Sequence, residues 1–174
     1  MMSNQGIASA RHVDHVGMTV PTLDEAIRFL EDALGGLLLW RVGPFHETAT
    51  GVPINSVQIA ILRLGPSLNV ELLEFDANQQ DREMPGNVDM GVGHIAFFGD
   101  DIRAAAESLR NHGAKKLEGP LEGAGEEKKG EKIWYFKTPW GAFMEILWRP
   151  DHLAYEETTE TRLFQPKDSW FDQI

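Results

Sequence analysis

Apolar residues along this chain recur with two periods, and the order of those periods itself repeats. Val16, Met18 and Val20 fall on one side of a short strand, with His15, Gly17 and Thr19 on the other. From Leu23 the spacing changes. Leu23, Ala26, Ile27 and Leu30 stand at i, i+3, i+4 and i+7, which predicts one apolar face of a helix. Thr22 followed by Glu25 predicts a capping box at its start, and Gly35–Gly36 its stop. Three strand-like runs follow: LLLWRV, SVQIAILRLG and NVELLEF. The pattern then returns. Ile95 and Phe97 alternate with His94 and Ala96, Asp101 predicts a helix N-cap and Gly113 a stop, and KKLEG, KIWYFKT and AFMEILW complete the second copy.

Setting His15 on His94 gives an offset of 94 − 15 = 79. Without a gap, it carries Leu23 onto Ile102, Ala26 onto Ala105, Ile27 onto Ala106 and Leu30 onto Leu109. The unit is β-α-β-β-β, twice. This predicts an α+β fold of two paired βαβββ modules, about 12–77 and 91–148, in one domain over 12–148. Residues 78–90 read as the linker between them. Glu118–Lys132, rich in Gly and charge, reads as a mobile loop. The extension 149–174 belongs to neither copy. Its Leu153, Tyr155, Leu163, Phe164, Trp170 and Phe171 predict packing on the body or on a second subunit.

Composition narrows the classes. With 174 residues, 42% hydrophobic and 25% charged, the chain reads as a soluble globular domain and not a disordered or fibrous one. It has no cysteine, which removes disulfides, thiolate metal sites and a Cys nucleophile. The balance of 16 basic against 27 acidic residues, net −11, disfavours phosphate backbones, and Lys128–Lys129 lies among glutamates, so no nucleic-acid partner is expected. No apolar run reaches the roughly 18–20 residues of a membrane span, so no membrane partner is expected either. The N-terminal stretch lacks the basic and apolar regions of a secretory signal, and the expected location is the cytoplasm.

The candidate chemistry lies on the repeat. Each copy has a histidine in its first strand, His15 or His94, and a glutamate in its last, Glu71 or Glu145. Both glutamates share a face with apolar residues, where an unpaired carboxylate is costly to bury. Were the modules paired about a pseudo-twofold axis, His15, Glu71, His94 and Glu145 would converge on one cleft. Two imidazoles and two carboxylates suit one divalent transition metal. Glu74, on the opposite face from Glu71, reads as a solvated or hydrogen-bonded residue. His112 reads as a surface residue at a helix end. Trp134 and Phe136, alternating on one strand face, and Trp140 in the TPWG turn are candidate substrate contacts, with core packing as the other reading.

On DHVGMTVPTLDEAIRFLEDALG, NVELLEF, GVGHIAFFGDDI and TPWGAFMEIL, residues 12–148 resemble the vicinal oxygen chelate superfamily. That family includes glyoxalase I, methylmalonyl-CoA epimerase, extradiol dioxygenases, fosfomycin-modifying enzymes and bleomycin-binding proteins. The resemblance implies paired βαβββ modules, a small-molecule substrate and one divalent ion, with Ni, Co, Zn, Mn or Fe all compatible. The His, Glu, His, Glu order resembles bacterial glyoxalase I. It implies a lyase or isomerase that removes a proton next to a carbonyl through a metal-stabilised enediolate, with Glu145 as the base and Glu71 as its symmetry mate. An epimerase of acyl-CoA or small hydroxy-carbonyl compounds, an extradiol-type dioxygenase and a non-catalytic binding module are the alternatives. The sequence departs from methylmalonyl-CoA epimerases at Ile54 or Asn55, where they tend to carry a catalytic glutamate; His46–Glu47 lies nearby. A glutathione substrate would need basic contacts, for which Arg11, Arg41, Arg63 and Arg149 are available. A homodimer is expected.

Overall fold

The structure, a computed structural model, describes residues 12–47, 51–78, 80, 81 and 83–164. Its first module runs β1 (Val16–Thr19), α1 (Leu23–Leu34), β2 (Leu37–Phe45), β3 (Ser56–Leu64) and β4 (Leu68–Asp76). The second runs β5 (Ile95–Phe98), α2 (Ile102–Asn111), β6 (Lys115–Glu122), β7 (Lys132–Lys137) and β8 (Phe143–Trp148). Each module is a four-stranded sheet, ordered β1-β4-β3-β2 and β5-β8-β7-β6. The first strand lies parallel to the last, and all other neighbours are antiparallel. This is the expected α+β arrangement of two βαβββ modules.

Local chemistry sets the helix ends. The Thr22 hydroxyl accepts from the Glu25 N–H at 3.4 Å, and Gly35 closes α1 in the left-handed conformation. The Asp101 carboxylate accepts from the N–H groups of Arg103 and Ala104, both at 3.0 Å. His112 caps the end of α2, its ring Nδ1–H donating to the Ser108 carbonyl. Glu74 is hydrogen-bonded: its carboxylate accepts from the Leu23 N–H at 2.6 Å, where the N-terminal dipole of α1 favours a negative charge.

Alternation along the strands buries one face of each sheet under its helix. Leu23, Ala26, Ile27, Phe29 and Leu30 of α1 join Ala60, Leu62, Leu64, Val70 and Leu72; Ile102 and Leu109 of α2 join Phe97, Phe136, Met144 and Ile146. Each such aliphatic or aromatic side chain contributes about 1.5–3 kcal/mol on burial. The two sets form one core. The helices α1 and α2 touch, and the Phe29 ring meets Trp140 edge-on at 5.7 Å. No strand of one module contacts a strand of the other among the described residues. The face of each sheet away from its helix therefore points away from this shared core.

Two segments differ from expectation. The stretch read as a mobile loop from Glu118 to Lys132 is half strand: β6 continues to Glu122, a 3₁₀ turn covers Glu126–Lys128, and Glu131 is buried. The β6–β7 register slips on both sides of Glu118, so Gly119 and Pro120 occupy an irregular edge strand, where both residues are tolerated. In the extension, Leu153 is buried and a 3₁₀ turn over Ala154–Glu157 packs on the Glu126–Lys128 turn, whereas Leu163 and Phe164 are exposed. Trp170 and Phe171 lie outside the described residues. Among the described residues no helix is long and apolar enough to cross a membrane.

Gly36, just past the end of α1, lies close against the sheet. A Cβ there would stand 2.8 Å from a methyl of the buried Leu64 and 3.0 Å from the Leu30 carbonyl oxygen. Gly36→Ala is expected to lower stability by about 1–3 kcal/mol, the usual cost of overpacking, read as a fall in the urea midpoint without a change of slope.

Candidate functional site

Strand registers determine which side chains share the outward faces. In the first sheet Gly17 pairs with Glu71, and Glu71 with Ile61. In the second, Ala96 pairs with Glu145, and Glu145 with Tyr135. Paired residues of adjacent strands point the same way, so each glutamate faces outward beside a small residue, Gly17 or Ala96. His15 and His94 stand two residues earlier, immediately before β1 and β5, and return to that same face.

The four candidate ligands form two pairs. His15 Nε2 lies 3.6 Å from the Glu71 carboxylate, and His94 Nε2 lies 3.0 Å from Glu145. The pairs are not equivalent. The Glu71 side chain keeps 24% of its surface exposed, Glu145 only 7%. On the far side of His15, Nδ1 donates to the Asp14 carboxylate at 2.9 Å. That bond, opposed by desolvation and aided by the charge of Glu71, raises the His15 pKa above 6.5, and it lowers that of Asp14. It also turns Nε2 toward Glu71, as outer carboxylates do for ligating histidines.

The second half-site holds a residue that the sequence reading missed. Tyr135 stands opposite Glu145, with its ring edge-on to His94 at 5.7 Å. Burial first, then the charge of Glu145 and a hydrogen bond to it, with a further push from Glu131, raise the Tyr135 pKa above 10.0. The raised value keeps the hydroxyl protonated beside Glu145. Its neighbours Trp134 and Phe136 point the other way, Phe136 fully buried in the core and Trp134 packed against it, while Trp140 packs on Phe29. Alternation grouped Trp134 with Phe136 correctly; their side of the sheet depends on α2, which covers them. Reading the odd-numbered residues of KIWYFK, Ile133, Tyr135 and Lys137, with Glu145 would have found Tyr135.

Further along the same face, one step beyond the Lys132–Trp148 pair, Glu131 and Arg149 stand opposite each other with Nε to carboxylate 3.8 Å apart. Lys128 approaches the other carboxylate oxygen at 3.6 Å, and the Arg149 guanidinium lies over the Phe98 ring. The shift that takes Glu71 to Glu145 is 145 − 71 = 74 residues, and it takes the Val57–Phe75 pair to these two. One face therefore ends in an apolar pair and the other in an ion pair. Of the remaining basic candidates, Arg41 binds Asp24 and Gln58 on the helix side, Arg63 donates to the Gly65 carbonyl, and Arg11 lies outside the described residues. His46 donates to the Asn55 carbonyl at 2.8 Å, a link between neighbouring strands.

Each pair suits a metal in kind and spacing. Adjacent donors around an ion at about 2.1 Å stand roughly 3.0–3.4 Å apart; the second pair, at 3.0 Å, falls in that range and the first, at 3.6 Å, lies just beyond it. Among the described residues no three His, Asp or Glu side chains come close enough to hold one ion within the chain. The expected convergence of all four on a single-chain cleft is not what the structure displays: it has two half-sites, one per module.

The Asp14 contact gives the first half-site a pH signature. In metal-free protein, His15 is expected to titrate above 6.5 by NMR, and Asp14→Asn to bring it down. Because the folded state favours the imidazolium, the contact's stabilisation is full below the unfolded pKa and is lost as pH rises through the raised one. A His15 resonance titrating at or below 6.5 would contradict this pairing.

Comparison with known proteins bears on the fold and family. Residues 14–135 match the family model of the Glyoxalase/Bleomycin resistance protein/Dioxygenase superfamily. The chain is 37% identical to a 2-epi-5-epi-valiolone epimerase from Actinomyces sp., over 98% of this chain and 97% of that protein. Among solved structures it resembles a glyoxalase family protein from Bacillus cereus, with TM-score 0.66, 24% identity and coverage of 83% and 99% of the two chains. It also resembles the trypanothione-dependent glyoxalase I of Leishmania major, with TM-score 0.56, 21% identity and coverage of 79% and 86%. The repeated βαβββ module, its mixed sheets and the matched family model together place this chain in the Glyoxalase/Bleomycin resistance protein/Dioxygenase superfamily, the vicinal oxygen chelate proteins.

Proposed function

We propose that the protein is a divalent-metal-dependent epimerase that inverts a carbon next to a ketone, acting on a compound of the valiolone kind. The observation that carries this reading is the repeated register: Glu71 beside Gly17 and Glu145 beside Ala96, each carboxylate against its own imidazole. Inversion needs two acid–base groups on opposite sides of one carbon, and two modules of the same build supply them. The epimerase relative, similar along nearly the whole chain, moves the weight from the glyoxalase I type of reaction to the epimerase alternative. A metal held by His15, Glu71, His94 and Glu145 would supply positive charge beside the carbonyl oxygen as the proton leaves. One carboxylate takes the proton as the C–H bond breaks, and the electron pair moves into the bond toward the carbonyl. The opposing carboxyl group returns a proton to the other face, with no net change of oxidation state.

The half-sites meet, in this reading, between two copies of the chain. Strands β1 and β5 are each the outer strand of a sheet, with exposed Val16 and Phe98, and open strand edges invite pairing. The first sheet also exposes Leu39, Trp40 and Phe45 on β2, an apolar surface suited to a subunit contact. A twofold dimer setting the first module of one copy against the second of its partner would place all four ligands at each of two sites.

In D2O, metal-loaded protein given 2-epi-5-epi-valiolone is expected to form an epimer carrying one deuterium at the carbon beside the ketone. Glu71→Gln and Glu145→Gln should each slow this at least about 100-fold. Recovery of unchanged substrate without deuterium would sink the epimerase reading. Mixing the two variants tests the shared site separately: random exchange of subunits leaves about one site in four with all its ligands, so about a quarter of the activity should return. No recovery from exchanged dimers would assign each site to one chain.

A further inference from the structure

We propose that Arg149 is a specificity-determining residue whose guanidinium receives two neighbouring hydroxyl groups of a neutral polyhydroxylated ring, at the end of the substrate away from the reacting carbonyl. This role rests on the function proposed above and names the part of the substrate that the second module reads. The repeat provides the internal comparison. Where this module has Glu131 and Arg149, the first has Val57 and Phe75, so the fold holds its shape at this place without charge. As a structural ion pair the arrangement is poor. Glu131 is 3% exposed, yet its carboxylate stands 3.8 Å from Arg149 Nε and 3.6 Å from Lys128 Nζ, both beyond hydrogen-bond length. Glu131 Oε1 and Arg149 Nε are buried without a hydrogen-bond partner. Charges so placed recover little of their desolvation cost, and an apolar pair would hold the strands as well.

What the charges add is a held guanidinium. Glu131 attracts it from the Nε side, and the Phe98 ring lies under it, 5.7 Å from Arg149 Cζ to the centroid. Phe98 is exposed and the Arg149 side chain keeps 16% of its surface in solvent, so the group can be reached from outside. Its terminal nitrogens make no hydrogen bond among the described residues. Such a fork matches two oxygens on adjacent atoms. Because Glu131 already balances the charge, neutral hydroxyls suit it better than an anion. Register gives the reach. Phe98 pairs with Leu147, one step of two residues from the Ala96–Glu145 pair, or about 6.6 Å along the strand. Buried Leu147 and Ile133, paired with each other, make an apolar floor at that step. One six-membered ring with its carbonyl beside the His–Glu pair spans the step and brings its far hydroxyls to Arg149.

The test is calorimetric binding of two ligands to the full-length protein, to Arg149→Met and to the double variant Glu131→Leu/Arg149→Met, with thermal unfolding of all three. One ligand is 2-epi-5-epi-valiolone with its ketone reduced to the alcohol, which keeps the ring hydroxyls and has no carbonyl to react. The other is 2-hydroxycyclohexanone, which keeps the ketone and lacks the far hydroxyls. The double variant guards against misfolding, since Arg149→Met alone leaves the buried Glu131 charge without its partner. The expected result is affinity for the polyol weakened about 10–100-fold in both variants, the usual loss of hydrogen bonds to a charged group, with affinity for 2-hydroxycyclohexanone unchanged. Equal polyol affinity in the wild type and the folded double variant would overturn the role of Arg149, while deuterium incorporation by the wild type would leave the epimerase reading standing. Parallel loss of both ligands would assign the pair to holding the sheet instead. Wild-type protein that binds inorganic phosphate through Arg149 and does not bind the polyol would overturn the choice of neutral hydroxyls. Polyol binding that depends on Arg149, without deuterium incorporation, would support this site and sink the epimerase reading alone.

Discussion

Glu145 lies in a central strand between Met144 and Ile146, both buried in the core, and this placement constrains everything around it. A carboxylate in such a strand can keep its charge only if it points away from the core and finds polar partners there. Alternation supplies the first condition and His94 and Tyr135 the second. The small Ala96 beside it keeps the approach open. In the other module Glu71 has the same place beside Gly17, with fewer partners and more solvent. The chemistry proposed for the protein follows from these two carboxylates being alike in position and unlike in surroundings.

The division of each sheet into a covered and an open face makes that arrangement possible. The helices take the apolar faces into one core, and the contact between modules runs through α1, α2 and the Phe29–Trp140 pair. The opposite faces have no helix over them, and they differ. One carries Val57 and Phe75 where the other carries Glu131 and Arg149. A buried pair of opposite charges is tolerated only with good compensation, so its presence at one end alone gives that face a polarity the fold does not demand. Two modules with the same backbone plan thus present an apolar wall and a polar one.

Much of this was legible along the chain because it is local. The helices announce themselves by 3.6-residue spacing and by Thr22, Asp101 and Gly35, whose effects reach three or four residues. The half-site residues were legible because a His and a Glu recur at matching places in two copies. The irregular strand β6 was not, because Gly119 and Pro120 carry the same signal whether they open a loop or sit at a slipped edge, and only pairing with β7 distinguishes the two. Tyr135 was missed for a related reason. Period-two alternation separates Tyr135 from Trp134 and Phe136 without saying which set lies under the helix.

The sequence by itself determined the repeated module, the helix limits and the identity of the four candidate ligands, since all of these depend on spacing and residue type within one copy. Tertiary structure decided what no spacing contains: that Trp134 and Phe136 are core, that Tyr135 and Glu145 share a face, and that the His–Glu pairs stand as two separate halves. The reason is physical. Which strand lies beside which, and in what register, is settled by the helices packing over the sheets and by hydrogen bonds between segments distant in sequence, and those contacts alone bring side chains to a common site.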